Sequence, residues 1–327
     1  MSEVVKDHDD ESQLENEIAK LASQLAEAKA RLNTKRRAAD SDSSSHHTPS
    51  MPTPSPTPPI PDSSHHYLLL LSDSALPLGS FAFSSGLESY LAHARSPSSA
   101  SALLYKPSFA SFLPLSLSSY ASTSLPFVLA AHRDPATIAE LDDVLDASII
   151  CAVGRRASIA QGRALLSIWE KSLAPSTAVS AEGRGALEAF SAALRRSSSS
   201  FSSRQTGGKK KTGEVENAAD ILPPLVSAHL APLFGAVSQL LGLSLRQTAY
   251  VFLFSHAKAL VSAAVRASMF GPYQAQKVLA GGELQVLIAD MIQREWDVPV
   301  EEAGQSVPVM DLWIGRHEML YSRIFNS

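Results

Sequence analysis

The chain of 327 residues is short of charge and almost without cysteine. Only 18% of its residues are charged, against about a quarter in an ordinary soluble domain, whereas 45% are hydrophobic. That apolar share is enough for a buried core and excludes a chain that is disordered throughout. The single cysteine, Cys151, excludes an intrachain disulfide and is expected to be a small core residue.

Three other features are missing. A net charge of -4 and a pI near 6.2 do not indicate the basic face that nucleic-acid binding needs. No uncharged apolar run reaches the roughly 18 residues of a membrane span. The N-terminal sequence MSEVVKDHDDES lacks the apolar stretch of a secretory signal peptide. We therefore expect a soluble, cytoplasmic protein that binds neither nucleic acid nor membranes.

Composition divides the chain into segments. Residues 33–64 are rich in Pro and Ser and are predicted to be a disordered linker, because they have no apolar set to bury. Residues 174–217, rich in Ser and Lys, are predicted to be a disordered surface insertion. The remaining apolar residues lie in two blocks between 67 and 327, which suits one domain interrupted by that insertion.

Residues 1–32 are predicted to form a short amphipathic arm. Apolar residues alternate spacings of four and three, which is the heptad pattern of a coiled coil. The pattern spans fewer than three heptads, so an isolated amphipathic helix and an oligomerising coiled coil both remain open. The residues of this seam are Leu14, Ile18, Leu21, Leu25, Ala28 and Leu32.

Helical periodicity dominates the two apolar blocks. Asp134 followed by Pro135 predicts a helix start, and Ser244 with Gln247 predicts a capping box. The segment 244–268 carries only three charges and is predicted to be a long helix buried on most sides. A further helical pattern runs from Val278 to Ile292, with a predicted break at Gly281 and Gly282. We predict an all-α fold, a single helical bundle of about eight to ten helices.

The apparent catalytic motifs do not form a credible set. Ser255 and Lys258 match S-x-x-K, and the segments 72–74 and 211–213 resemble the other two motifs of a serine acyl-enzyme. The last of these falls in the predicted insertion, where no strand can place it beside a nucleophile. The glycine- and lysine-rich run 207–212 lacks the strand and helix of a phosphate loop. We predict a protein that is not an enzyme.

Histidine is the main candidate for metal binding, but its placement is unfavourable. The pairs at 46–47 and 65–66 lie in or beside the linker and cannot form a rigid site. The others are isolated on predicted helices and are expected to be structural, namely His93, His132, His229, His256 and His317. No metal or cofactor of its own is predicted.

Two segments are more specific than generic helix. The first, LSDSALPLGSFAFSSGLESY at 71–90, contains a turn at Pro77 and Gly79 and a predicted capping box from Ser85 to Glu88. It places two aromatic residues in a connection between helices, where they suit a partner contact. The second is the C-terminus, HEMLYSRIFNS at 317–327, which is rich in the residue types of interfaces.

Together these segments resemble the urease accessory protein F family. The first resembles the family's N-terminal signature, and the second is similar to its C-terminal H-x-x-L-Y-S-R-L-F-x-S. The segment RASMFGPYQAQ, starting at Arg266, resembles a third family motif. Phe83 stands where many members have His, and Pro272 where many have Gln, so a metal role for position 83 is not expected.

The resemblance implies an all-α, non-catalytic scaffold that dimerises and helps to load nickel into apo-urease in the cytosol. It implies binding to the D/H-type accessory protein and recruitment of the G-type GTPase, with GTP bound by that partner. Direct partner contact and internal docking of the tail remain open for Phe81, Tyr321 and Arg323. The alternative is a helical adaptor of another complex.

The resemblance and the turn chemistry together assign residues to three groups. Partner binding is assigned to Phe81, Phe83, His317, Tyr321, Arg323 and Phe325. Structural turns and caps are assigned to Pro77, Gly79, Gly86 and Glu88. The dimer face is assigned to the long apolar helix, with Tyr250 and Phe254.

Overall fold

The computed structural model describes residues 63–94, 107–177, 181–205 and 226–326, with side chains of 181–205 described only between 184 and 196. The chain divides into two units, Met1–Pro59 and Ile60–Ser327. In the first unit the described residues are Lys20, 23–25, 27 and 29, and all are helical and exposed. The rest of the predicted arm and most of the predicted linker lie outside the described residues.

The described part of the second unit is helical and contains no strand, which confirms the predicted all-α class. Short 3-10 turns at Ser80–Ala82, Pro135–Thr137, Val300–Glu302 and His317–Met319 join several of the helices. The helices are α1 Ser63–Ser72, α2 Leu87–Ala94, α3 Phe109–Arg133, α4 Ile138–Ser148, α5 Ala152–Ile168, α6 Ala181–Gln205, α7 Leu230–Leu240, α8 Leu245–Arg266, α9 Pro272–Ala280, α10 Gly282–Glu295 and α11 Pro308–Arg316. Helix α5 continues through a π-helical turn, Trp169–Leu173, into Ala174–Ser176.

Local sequence signals place several helix ends correctly. The Asp134 carboxylate accepts the N–H of Ala136, and Pro135 occupies the first turn. The capping box of α8 has both of its bonds, between Ser244 and Gln247. Helix α9 ends at Ala280 and α10 begins at the next glycine pair, so the predicted break is present.

Helices α3 and α7 form the centre of the bundle. Helix α7 is buried from Leu230 to Ser238, and it packs against the second half of α3. The approach is close because Gly235 faces the α3 backbone: a Cβ at this position would lie 2.2 Å from the carbonyl oxygen of Val128. Helices α5 and α8 pack beside this pair.

Helix α8 is the long apolar helix that the sequence predicts. Its 22 residues are long and apolar enough to cross a membrane by length and composition, and 56% of the apolar window is buried inside the domain. Helices α1, α3, α7, α9 and α10 all contact it. Such burial is the behaviour of a core helix, as expected from its pattern.

The prediction that residues 174–217 are a disordered insertion needs a correction. Helix α6 lies within this range, and Leu187 and Phe190 on that helix are 1% and 2% exposed. The Arg184 guanidinium donates to the carbonyl oxygens of Ala174 and Thr177, which ties α6 to the end of α5. Disorder is therefore wrong for residues 184–196, while 206–217 lie outside the described residues.

Two smaller expectations also change. Helix α1 begins at Ser63, inside the range predicted as linker, because the apolar run after it packs against α8. Cys151 is half-buried rather than a core residue, since it lies at the N-terminal end of α5 beside a cavity.

His256 on α8 lies flat against Tyr120 of α3. The ring centroids are 4.0 Å apart with an interplanar angle of 9°, and Nε2 lies 3.0 Å from the Ser116 hydroxyl. Burial lowers the pKa of His256 from 6.5 to about 3, because a charged imidazole would lose its hydration there. The neutral ring is therefore part of the folded structure over most of the acidic range.

Acid should destabilise the protein through this histidine. Below pH 6.5 the unfolded chain binds a proton at His256 that the folded chain does not bind until about pH 3. The free energy of unfolding should thus fall with decreasing pH in this window, by at most about 1.4 kcal/mol per unit for one group. In urea unfolding between pH 4 and 6.5, His256→Gln should have a shallower slope than wild type. The exposed His65→Gln is the control, and identical slopes in both variants would contradict the prediction.

Candidate functional site

The C-terminal segment folds back onto the N-terminal signature. Helix α11 packs against α2 and α5, and the tail after it passes the start of α2. Gly86 has a φ of 86°, and a Cβ there would lie 3.1 Å from the backbone of Ile314. The glycine is thus needed twice, for a left-handed backbone and for the close approach of α11.

Glu88 holds the tail. Its carboxylate accepts hydrogen bonds from Nε2 of His317 at 2.8 Å, from the N–H of Ile324 at 2.7 Å and from the N–H of Phe325 at 3.2 Å. His317 is fully buried, and its Nδ1 has no hydrogen-bond partner among the described atoms. A single half-buried carboxylate therefore joins three points of the C-terminus to α2.

The capping box predicted between Ser85 and Glu88 is wrong. Ser85 has a φ of 50°, and the hydroxyl of Ser84 accepts the N–H of Glu88 instead. The Glu88 side chain cannot turn back to the helix start because the tail occupies both of its oxygens. We name the Glu88 contacts with His317, Ile324 and Phe325 the tail latch.

Phe325 and Arg266 provide a second attachment. Phe325 is 4% exposed, and the Arg266 guanidinium lies 4.3 Å from the centroid of its ring. Arg266 also donates to the carbonyl oxygen of Phe81, and the N–H of Asn326 donates to the carbonyl of Ala82 at 2.8 Å. The end of the chain is thereby joined to the Ser80–Ala82 turn.

An exposed ion pair completes the docking. The Arg156 guanidinium of α5 donates to the Glu318 carboxylate. This contact lowers the pKa of the Glu318 carboxyl, with a smaller contribution from the charge of Arg323. The pair lies in solvent and orients the turn at 317–319 more than it stabilises it.

Five of the six residues predicted to bind partners separate into two groups. Phe81 is 64% exposed, Tyr321 is fully exposed and Arg323 is exposed, so all three are available to a partner. His317 and Phe325 are buried in the latch. The prediction that those two residues contact a partner directly is therefore corrected, because their buried side chains hold the tail in place.

The remaining predicted residues lie in several settings. Phe83 is half-buried and faces a cavity. Gly79 has a φ of 74°, which a turn needs, and Pro77 is exposed beside it. Tyr250 and Phe254 are half-buried neighbours on α8, with ring centroids 6.0 Å apart. Their role in a dimer stays a prediction.

Docking of the tail creates an exposed apolar surface. Met319 is 77% exposed and Ile324 64%, and they belong to the same docked segment as Tyr321. With Phe81, whose carbonyl is bound by Arg266, these residues form what we call the tail surface. Sequence reasoning missed Met319 and Ile324, although both lie inside the C-terminal signature.

The apparent S-x-x-K motif has a structural role. Lys258 donates to the backbone carbonyl oxygen of Ser72 and lies 5.3 Å from the Phe254 ring centroid, so its ammonium joins α8 to the end of α1. The K-T-G segment at 211–213 lies outside the described residues.

The fold and the site define an all-α protein that builds a surface from its own docked C-terminus. The family model described as UreF matches residues 106–282. The chain is 37% identical over 262 residues to an uncharacterized urease accessory protein UreF-like of Schizosaccharomyces pombe, covering 80% of this chain and 97% of that one.

Plant and bacterial urease accessory proteins are also similar to this chain. Urease accessory protein F of Oryza sativa subsp. indica is 32% identical over 267 residues, covering 78% of this chain and 82% of the relative. Urease accessory protein UreF of Paenarthrobacter aurescens is 27% identical over 259 residues, covering 79% and 95%. The chain belongs to the urease accessory protein F family, and its role is that of a urease accessory protein.

Proposed function

We propose that this protein is a scaffold in urease maturation that acts by binding. It binds the D/H-type accessory protein and then recruits the G-type GTPase, which carries nickel to apo-urease. In this proposal GTP and nickel belong to the G-type partner, the chain needs no cofactor of its own, and the complex contains a homodimer in the cytoplasm. The observation that supports it is the tail surface.

The composition of the tail surface suits a protein partner. Aromatic residues, methionine and arginine are enriched at interfaces, and truncating such anchors often costs the most affinity. Tyr321 presents its whole ring to solvent and Phe81 most of its side chain, and Met319 adds a flexible apolar side chain. Arg323 lies exposed in the same segment, where its charge can pair with an acidic group of the partner.

The latch explains why this surface needs the whole C-terminus. Residues 320–326 contain no helix or strand of their own, so their geometry depends on Glu88 and Arg266. A segment already held in its binding geometry loses less conformational entropy when a partner binds. Loss of the latch should therefore weaken binding even if every surface residue is kept.

The proposal is tested by co-expression with the D/H-type and G-type proteins, followed by affinity purification and sizing. Tyr321→Ala and Arg323→Ala should each weaken the complex by about 10-fold or more while leaving the melting temperature unchanged. Tyr273→Ala is the matched control, because Tyr273 on α9 is also a tyrosine and is 92% exposed. Full recovery of both partners by the two tail variants would sink the proposal.

A further inference from the structure

Three residues far apart in the sequence form a hydrogen-bonded chain. Nε2 of His229 lies 2.8 Å from Oδ1 of Asp146, and Nδ1 of the same ring lies 3.0 Å from the hydroxyl of Ser158. Asp146 is in α4, Ser158 in α5, and His229 caps the start of α7. A carboxylate, an imidazole and a hydroxyl in this order are the groups that activate a serine nucleophile.

The charge of Asp146 fixes the proton positions. Burial alone would raise the pKa of its carboxyl, but hydrogen bonds from Arg155 and His229 outweigh burial and lower the pKa to about 2. An ionised carboxylate accepts, so the His229 proton belongs on Nε2. Nδ1 is then unprotonated and accepts from the hydroxyl of Ser158, which is the arrangement of a general base.

The imidazole is held rigidly. The buried carboxylate of Asp142 accepts the backbone N–H groups of Ser227, Ala228 and His229 at 2.5, 3.0 and 2.6 Å. Ala228 has a φ of 69°. A Cβ on Gly162 would lie 2.1 Å from the carbonyl oxygen of Ala228, so only glycine lets α5 approach this segment. Preorganisation of this kind is what a catalytic base requires.

Ser158 lies in the wall of a cavity of about 350 Å³. The wall is largely apolar, with Phe234 and Phe252 among its residues. Ile150, which is 90% exposed, also lines the cavity and marks where the cavity reaches the surface. Ala231, the second residue of α7, also lines it. The N–H groups that open a helix have no acceptor within the helix. In α7 the N–H of Leu230 is directed at Ser158 and Pro232 has none, which leaves the N–H of Ala231 as the candidate donor to an oxyanion.

We propose that Ser158 is a nucleophile toward small, uncharged acyl esters, with His229 as its general base and Asp146 as the group that orients the base. The size and apolar wall of the cavity favour a short acyl chain. This activity goes beyond the proposed scaffold role and uses a site separate from the tail latch. It also revises the expectation of a chain without catalytic groups.

The reaction balances with water as the second substrate. The Ser158 oxygen attacks the ester carbonyl while its proton passes to Nδ1 of His229. The bond from the carbonyl carbon to the alcohol oxygen breaks, the alcohol leaves with that proton, and an acyl-serine remains. Water then attacks the acyl carbon, passes its proton through His229, and releases a carboxylic acid and the free serine. No electrons are gained or lost.

A structural role for Ser158 makes a different prediction. The N–H of Leu230 lies 3.4 Å from the Ser158 oxygen, so the hydroxyl also caps the start of α7. A cap needs no reactivity, and Ser158→Ala would then change stability alone. Covalent labelling of the wild-type protein separates the two roles because it involves no variant.

The experiment exposes the full-length chain to a fluorophosphonate probe and maps the adduct by peptide mass spectrometry. We expect the adduct on Ser158, and hydrolysis of p-nitrophenyl acetate that Ser158→Ala and Asp146→Asn each reduce by about 100-fold or more. Ser167→Ala, another serine of α5, is the control and should hydrolyse the ester at the wild-type rate. An unlabelled Ser158, or hydrolysis that survives Ser158→Ala, would overturn the proposal.

Discussion

Glu88→Gln is expected to release the C-terminal tail and to abolish partner recruitment. Three donors face the carboxylate, from His317, Ile324 and Phe325. An amide offers one acceptor oxygen and presents its own N–H groups to those donors, so at least one donor loses its partner. The free energy of unfolding should fall by about 1–3 kcal/mol, and the amides of 320–326 should lose protection from hydrogen exchange.

The matched control is Glu283→Gln, which removes the same charge from an exposed position in the first turn of α10. It should leave both tail protection and the complex as in wild type. A Glu88→Gln protein with a protected tail, or with normal recovery of the D/H-type and G-type proteins, would show that the latch does not set the binding geometry.

Gly235→Ala should be among the most destabilising single-methyl changes in the core. The new Cβ would lie 2.2 Å from the carbonyl oxygen of Val128 and 3.1 Å from the backbone nitrogen of His132. Both are backbone atoms of α3, so no side chain can turn away and the two central helices must separate. We expect a loss of at least about 3 kcal/mol in urea unfolding.

Gly185→Ala is the control for this change. Gly185 is an exposed residue of α6, and a Cβ there meets nothing within 4 Å. Alanine has the higher helix propensity, so this variant should gain about 0.5–1 kcal/mol. Similar effects at the two glycines would contradict the close packing of α3 and α7.

Helix-cap motifs predicted several helix ends correctly, whereas amino-acid composition predicted the bounds of the disordered segments less well. The caps at Asp134 and Ser244 were correct because their partners lie within three residues. Helix α6 was predicted to be disordered because the segment is rich in Ser, although it also has an apolar face. Leu187, Phe190 and Leu194 are spaced three and four apart, and all three contribute to the core.

The functional surfaces depend on contacts that sequence spacing does not encode. The first and last signatures were recognised separately, but Glu88 and His317 are 229 positions apart. The pairing changed the meaning of three predicted residues: Glu88 holds the tail, while His317 and Phe325 are buried by it. His229 and Asp146 are likewise 83 positions apart, so an isolated histidine in the sequence became part of a chain of groups.

The most direct test of the maturation role is the nickel content of urease purified from cells that lack this protein. We predict urease with little nickel and little activity, restored by the wild-type gene but not by a gene carrying Tyr321→Ala and Arg323→Ala together. Urease with its full nickel content and activity in the deletion strain would contradict the proposed role.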